Sequence, residues 1–199
     1  EYRRQRQMCI RDRPVTALNA ILENMILGVG KYKDRDSCLL ECKEITGQLS
    51  FMIKEILDTS RLDFTQEEKD AENFDLSESL PALCEPYQLI ATAKKIGFSL
   101  SIQEKCLVHT SKKSLEKILS NLLSNAVSYT KPGHKISVVL TARQIKIENE
   151  CTPIPPEKLA HVFEPFYRPD FARDRKDGGN GLGLYIVDRL SKALRLSYQ

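Results

Sequence analysis

Between Ser37 and Leu62 apolar residues return in steps of four and three: Cys38, Cys42, Ile45, Leu49, Met52 and Ile56. That period is a heptad seam on a helix, and Leu39, Ile53 and Leu57 widen it. Upstream, Val15, Leu18, Leu22 and Met25 keep the same steps, and GVGKYKD at 28–34 supplies the turn. Residues 14–62 are therefore expected to form a helical hairpin. Two helices leave so wide a stripe uncovered, whereas two hairpins paired symmetrically as a four-helix bundle would cover it. The expected partner is a second copy of the chain, a homodimer through residues 14–62. The arms differ in length: at 1.5 Å per residue the second runs roughly 40 Å, and the first only about 20 Å back to Pro14. Projected backwards, the seam puts Arg11 and Arg4 on it, and EYRRQRQMCIRDR holds five arginines in thirteen residues. Residues 1–13 are thus expected to be an atypical lead-in, disordered or foreign to the chain.

After an acidic linker at 63–73, containing QEEKDAEN, the period changes. FDLSESLPALCEPYQLIATAKK reads as a short strand and a helix, GFSLSIQ as an alternating strand, and 111–128 as a helix. KISVVLTARQIKIEN alternates twice around a tight turn near Arg143, a β-hairpin. PPEKLAHVF is a short helix opened by proline. A polar loop rich in Arg and Gly runs from Tyr167 to Asn180, and a last helix from near Gly181 to about Leu194. Helices mixed with about four antiparallel strands predict an α+β chain, with a two-layer domain at 74–199. One face of the last helix has little to pack against, so this domain is expected to be short of its last strands.

Composition narrows the classes. The chain has 199 residues, 41% hydrophobic and 29% charged, as in ordinary globular proteins. A net charge of +3 is too small to argue for nucleic acid or a membrane surface. No apolar run reaches the ~20 residues of a membrane span, and nothing resembles a signal peptide. Cysteines stand at 9, 38, 42, 84, 106 and 151 without a C-x-x-C pair, and the three histidines are scattered. They suggest reduced, buried thiols rather than a disulfide framework or a metal cluster.

Two stretches carry chemistry. GGNGLGLYIV, 178–187, is a glycine-rich turn entering an apolar helix. Gly179, Gly181 and Gly183 permit close backbone approach, and the new helix offers unpaired N–H groups at its positive dipole end, a seat for phosphate. It is neither a Walker loop nor a dinucleotide fingerprint. SNLLSNAVSYT, 120–130, places Asn121 and Asn125 one turn apart on one helical face. A carboxamide oxygen facing the glycine turn suits Mg²⁺, which reaches ATP through phosphate oxygens and one or two protein oxygens.

In order, NLLSNA, IEN, PIPPEKLAHVFEPFYR and GGNGLGLYIV resemble the N, G1, F and G2 boxes of sensor histidine kinases. ILDTSRLDF and FDLSESL resemble the end of their dimerisation helix and the start of their ATP-binding domain. The wording IENECTPIPPEKLAHVFEPFYRPDFAR is similar to vancomycin-resistance-type sensor kinases of Gram-positive bacteria. The resemblance covers roughly Pro14 to Leu194 and implies a Bergerat-type α/β sandwich that binds ATP with Mg²⁺. It implies that Asn125 binds the metal with Asn121 as its partner. Tyr129, Asn149 and Ile154 would lie against the nucleotide, Gly181, Leu182, Gly183 and Leu184 would form the phosphate-side turn, and Phe163, Pro165 and Phe166 would anchor a lid. Arg168, Arg173 and Arg175 could reach phosphates or remain solvated. A response-regulator receiver domain would be the partner, and the chain would be the cytoplasmic part of a bacterial membrane sensor, tied to the membrane only through other segments.

Three departures qualify this. The G1 box usually reads Asp-x-Gly-x-Gly, and here it is Asn149-Glu150-Cys151-Thr152-Pro153. Asn149 can still accept the adenine amino proton through its carbonyl oxygen, on a stiffer turn. Ser128 replaces a common lysine. The H box places its phosphate-accepting histidine five residues before a proline, and counting back from Pro14 reaches Cys9, with no histidine before position 109. The expected function is transfer of the ATP γ-phosphoryl group to a histidine and onward to a receiver aspartate, by a chain that does not itself carry the acceptor. The alternatives are a non-catalytic dimeric scaffold with a vestigial pocket, and another ATPase or serine kinase of the same nucleotide-binding fold.

Overall fold

The structure, a computed structural model, describes residues 2–60, 70–168 and 181–198; side chains in 2–14 and at 48, 51, 55, 56 and 58–60 lie outside that description. The chain divides into two compact units, Glu1–Arg61 and Leu62–Gln199.

The first unit is a helical hairpin, α1 (Tyr2–Leu27) and α2 (Arg35–Ser60), joined by a 3₁₀ turn at Gly30–Lys33. The reversal relies on left-handed backbone at Gly28 (φ +63°) and Gly30 (φ +55°), which glycine adopts without steric strain. Asp34 opens α2 by accepting the Ser37 N–H at 3.3 Å. Ile21, Cys38 and Cys42 are buried between the arms, with Leu18, Met25, Tyr32 and Ile45 packed around them. On α2 the expected seam is buried at Cys38 and Cys42, and the residues that widen it, Leu39, Ile53 and Leu57, are exposed; on α1 the buried residue is Ile21, off the expected seam, while Val15 and Leu22 on it are exposed. Residues 2–13 belong to α1, so both arms have 26 residues rather than the unequal lengths expected.

The second unit begins with β1 (Ala71–Asp75) and α3 (Leu76–Ala93). Asp75 caps α3, its carboxylate accepting the Ser77 N–H at 2.9 Å. The prolines inside α3, Pro81 and Pro86, face solvent, and the opposite side buries Leu76, Leu80, Cys84 and Ala91. Then come β2 (Gly97–Ile102), β3 (Leu107–Ser111), α4 (Lys112–Tyr129), β4 (Lys135–Leu140) and β5 (Ile145–Asn149). A one-turn helix, α5 (Pro156–Leu159), and α6 (Gly183–Ala193) complete the unit. Strand order is β2-β4-β5 in one sheet, and β1 pairs with β3 in a second.

Helices α3 and α4 cover the sheet. Leu80, Cys84, Leu115, Leu119 and Leu123 meet Val138 and Leu140 of β4 in one core. Period-two alternation puts Ile136, Val138 and Leu140 of β4 wholly inside. On β5 the same alternation turns Ile145, Ile147 and Asn149 the same way, so the last inward position of that strand carries a carboxamide.

Here the sequence expectations fall short in three places. β3 was not anticipated, because LVHTS is short and mostly polar, and its partner is the remote β1. β2 and β4 pair in parallel rather than antiparallel, Phe98 opposite Ile136; alternation identifies a strand but not its direction. The helix expected over 155–163 stops after Leu159. Beyond it His161 N–H bonds to Lys158 O, Val162 to Leu159 and Glu164 to His161, a succession of tight turns. Among the described residues no helix is long and apolar enough to cross a membrane.

Candidate functional site

Helix α4 is amphipathic in an unusual sense: one side is core, and another carries half-buried carboxamides. Asn121 Nδ2 donates to the Lys117 carbonyl one turn earlier, at 2.8 Å. That leaves its Oδ1 as the free acceptor, and Oδ1 points at Gly183, the first residue of α6. A Cβ on Gly183 would lie 3.1 Å from Asn121 Oδ1 and 3.7 Å from both Oδ1 and Nδ2 of Asn125. Glycine therefore eases the approach of α6 to Asn121, with Asn125 at ordinary contact distance. Leu182, buried, occupies the cap position of α6, and no side chain caps that end. Among the described residues no side chain bonds its first N–H groups, a kind of group that anions accept from, and Leu184, the second residue of α6, lies half-buried.

The turn leading into α6 is tied to the end of the F-like stretch. Phe166 N–H donates to Gly181 O at 2.8 Å. Phe166 is buried and has φ +65°, while Gly181 has φ +71°. Nearby, the Phe163 ring packs on Tyr198 at 5.1 Å between centroids. The Tyr198 hydroxyl donates to Asp188 of α6, which also pairs with Lys192 at 2.7 Å. Burial works to raise the Asp188 carboxyl, but the hydrogen bonds from Lys192 and Tyr198 outweigh it and hold it below the ordinary carboxylate range. The same bond to Asp188 pushes the Tyr198 phenol up to about 12. His161 contacts the Glu164 carboxylate at 3.0 Å and the Tyr167 ring at 5.7 Å between centroids.

Asn149 lies beside the C-terminal cap of α4. It faces Ile136 across the β4–β5 ladder and donates from Nδ2 to Thr130 Oγ1 at 3.1 Å. Glu150 extends the ladder by two bonds to Lys135, its N–H to the carbonyl at 3.0 Å and its carboxylate from the N–H at 2.9 Å. Those bonds hold the strand end in place without the usual glycines. A cavity of about 480 Å³ opens there, lined by Lys131, His134, Asn149, Glu150, Cys151, Thr152 and Pro153. Thr130 caps α4, so this end lies roughly 7 Å along the axis from Asn125. Tyr129 is half-buried at the last residue of α4, and Ile154 and Arg168 are half-buried in the segment after β5. Gly179, Arg173 and Arg175 lie outside the described residues, as does most of the 63–73 linker.

The structure therefore gathers Asn121, Asn125 and Gly183 along the C-terminal half of α4, and Asn149 beside its C-terminal cap. Sequence reasoning missed Thr130, Lys131, His134 and Glu150. Thr130 could have been noticed, since it directly follows the asparagine helix. Lys131 and His134 could not, because only the turn into β4 brings them beside Asn149. Among the described residues no group of three or more His, Cys, Asp or Glu side chains gathers. The donor set is one of neutral amide oxygens, a type a hard cation accepts.

The site thus consists of a layer of helices on a mixed sheet, with a glycine-led helix end facing paired amides. Residues 110–198 match the family of histidine kinase-, DNA gyrase B-, and HSP90-like ATPases, which bind ATP. The sensor protein VanSB of Enterococcus faecalis is 32% identical over 189 residues, 93% of this chain and 42% of that protein. The sensor histidine protein kinase HK06 of Streptococcus pneumoniae is 29% identical over 185 residues, 93% of this chain and 41% of that one. The solved histidine kinase AdeS of Acinetobacter baumannii shares the fold, with a TM-score of 0.64 at 23% identity over 90% of this chain and 84% of that one. The chain is similar to sensor histidine kinases over most of its length, and residues 110–198 carry the ATPase domain of that family model. It spans about two fifths of the length of these two curated relatives, 41% and 42%.

Proposed function

We propose that this chain is the catalytic segment of a kinase that moves the γ-phosphoryl group of ATP to a histidine on a first bundle helix, and from there to an aspartate of a response-regulator receiver domain. The observation that carries the reading is the convergence of the Asn121 and Asn125 amides on Gly183, at the uncapped start of α6. The N–H groups of Gly181 to Leu184 would receive the phosphates. Asn149, with Tyr129 and Ile154, would hold the base, and Phe166 and Arg168 would flank the triphosphate. Mg²⁺ fits the donor set; Asn125 would hold it, with Asn121 as its partner, and it would neutralise charge on the transferring group. Such transfer depends mainly on positioning and charge stabilisation, which fixed N–H groups and amides supply.

The acceptor would come from elsewhere. Cys9 stands five residues before Pro14, where a phosphate-accepting histidine is expected, and we read residues 1–13 as a foreign lead-in. The chain as given should bind nucleotide without phosphorylating itself. Exposed Val15, Leu22, Leu39, Ile53 and Leu57 support pairing of two hairpins. The membrane attachment of a sensor would lie in other segments, with this part cytoplasmic.

Calorimetric titration with ATP, with and without magnesium, tests the reading. Magnesium-dependent binding that Asn125→Ala weakens at least tenfold, in a variant that melts normally, supports it. No binding by the unaltered chain at millimolar ATP would leave the dimeric scaffold with a vestigial pocket, which the Cys151 and Pro153 substitutions favour. A bundle hairpin carrying the histidine, supplied separately, should then become labelled from γ-labelled ATP.

A further inference from the structure

We infer that Thr130 sets the base selectivity of the site by locking the side chain of Asn149 in one of its two flips. The inference rests on the nucleotide-binding reading above and concerns a residue that reading does not use. Thr130 is buried, 5% exposed, at the cap of α4. Its Oγ1 lies 2.7 Å from the Ala126 carbonyl oxygen. A carbonyl oxygen has no proton, so this contact requires the hydroxyl hydrogen, the only one Thr130 has. Towards Asn149, 3.1 Å away, Oγ1 can then only accept. The amide nitrogen must face Thr130, and Oδ1 must face the other way.

The two purines present opposite chemistry at position 6: adenine has an amino donor, guanine a carbonyl acceptor. A carboxamide free to rotate matches either by exchanging its oxygen and nitrogen. A locked one matches a single order. With Oδ1 turned outward from Thr130, Asn149 accepts from an amino group and repels a carbonyl. An aspartate at 149 would need no such lock, because both its oxygens accept. The Asn149–Thr130 pair thus restores, by orientation, a discrimination that the carboxylate would provide by its nature.

The test is the ratio of ATP to GTP affinity, measured by competition against a fluorescent ATP analogue with magnesium present. The unaltered chain should prefer ATP. Thr130→Val keeps the shape but removes the hydroxyl, and should shrink that preference about tenfold through gained GTP affinity. Thr130→Ser should keep the preference, and Asn149→Asp combined with Thr130→Val should restore it. Nitrogen-15 spectra should show the Asn149 amide protons protected from exchange in the unaltered chain and unprotected in Thr130→Val. Loss of ATP and GTP affinity in equal proportion would mean a structural role only and overturn the inference. So would an unaltered ratio in Thr130→Val, or no preference in the parent chain. If the parent binds neither nucleotide, the functional reading falls and takes this one with it; if it binds ATP and Thr130→Val stays selective, this one falls alone.

Discussion

Phe166 and Gly181 hold each other in left-handed backbone, at φ +65° and +71°, through a bond of 2.8 Å from the Phe166 N–H to the Gly181 carbonyl. Such a conformation is costly for phenylalanine, and it persists because the ring is buried and the amide is bonded. Glycine carries no such penalty, and it also leaves room: a Cβ on Gly181 would lie 2.8 Å from the Phe166 carbonyl carbon. Gly181→Ala therefore meets both strain and a clash with backbone that cannot rotate away. It should destabilise the ATP-binding unit by about 2 kcal/mol or more, read as a lower urea midpoint. An unchanged midpoint would mean that the turn re-forms without this bond.

Gly183 predicts the opposite split. Alanine is a better helix former than glycine by about 1 kcal/mol, and the φ of Gly183 is not left-handed. Gly183→Ala should melt no lower than the parent. Yet its methyl group would press on Asn121 Oδ1, 3.1 Å away, while meeting both polar atoms of Asn125 at an ordinary contact distance of 3.7 Å. Affinity for magnesium–ATP should fall about tenfold while stability holds, and Gly183→Val should abolish binding. A Gly183→Ala protein of full affinity would place the nucleotide away from this helix end.

How much of this was legible in the amino acids follows from what local pattern can encode. Asn121 and Asn125 had to share a face with a four-residue spacing, and a helix had to begin near Gly181; that the two meet was a supposition from their chemistry, which the resemblance strengthened. Asn149 as an inward-facing residue of β5 follows from alternation alone. The Thr130–Asn149 bond joins residues nineteen apart, and nothing local signals it. The same limit hid β3, whose partner strand lies before α3. It also concealed the parallel pairing of β2 with β4, since direction depends on the path between strands. The length of the first arm was also hidden, because arginines on a seam argue against burial there without forbidding the helix that runs from Tyr2.

Asp75 gives the ATP-binding unit an acid-sensitive joint. Its carboxyl is held below the ordinary range, chiefly by the Ser77 hydroxyl and, against some burial, by Lys105, whose Nζ is 3.2 Å away, and the Ser77 N–H. A carboxyl depressed by folding stabilises the fold above its unfolded pKa, and that contribution is lost as pH falls through the folded value. Asp75→Asn should therefore unfold at lower urea than the parent at pH 7, and the gap should close on acidification below about pH 4. Equal midpoints at pH 7 would show that water replaces the cap without loss.

The hairpin makes the last prediction, and it rests on which apolar residues its own packing leaves out. Cys38 and Cys42 are 4% and 8% exposed, so the seam between the arms is already filled. Leu39 and Ile53, two heptads apart, are 54% and 56% exposed, Leu57 is 47%, and Val15 of the other arm 45%. These positions form a stripe that neither arm can cover, and each side chain gains about 1 kcal/mol when such a surface leaves water. A second hairpin with the same stripe covers it by a two-fold operation, in which every contact occurs twice. The chain should sediment as a dimer at tens of micromolar, and Ile53→Glu with Leu57→Glu should leave a monomer, because like charges would meet their own copies across the axis. Nucleotide affinity per chain should not change, since both substitutions lie outside the ATP-binding unit. A parent chain that sediments as a monomer would mean that something other than a second copy covers the stripe.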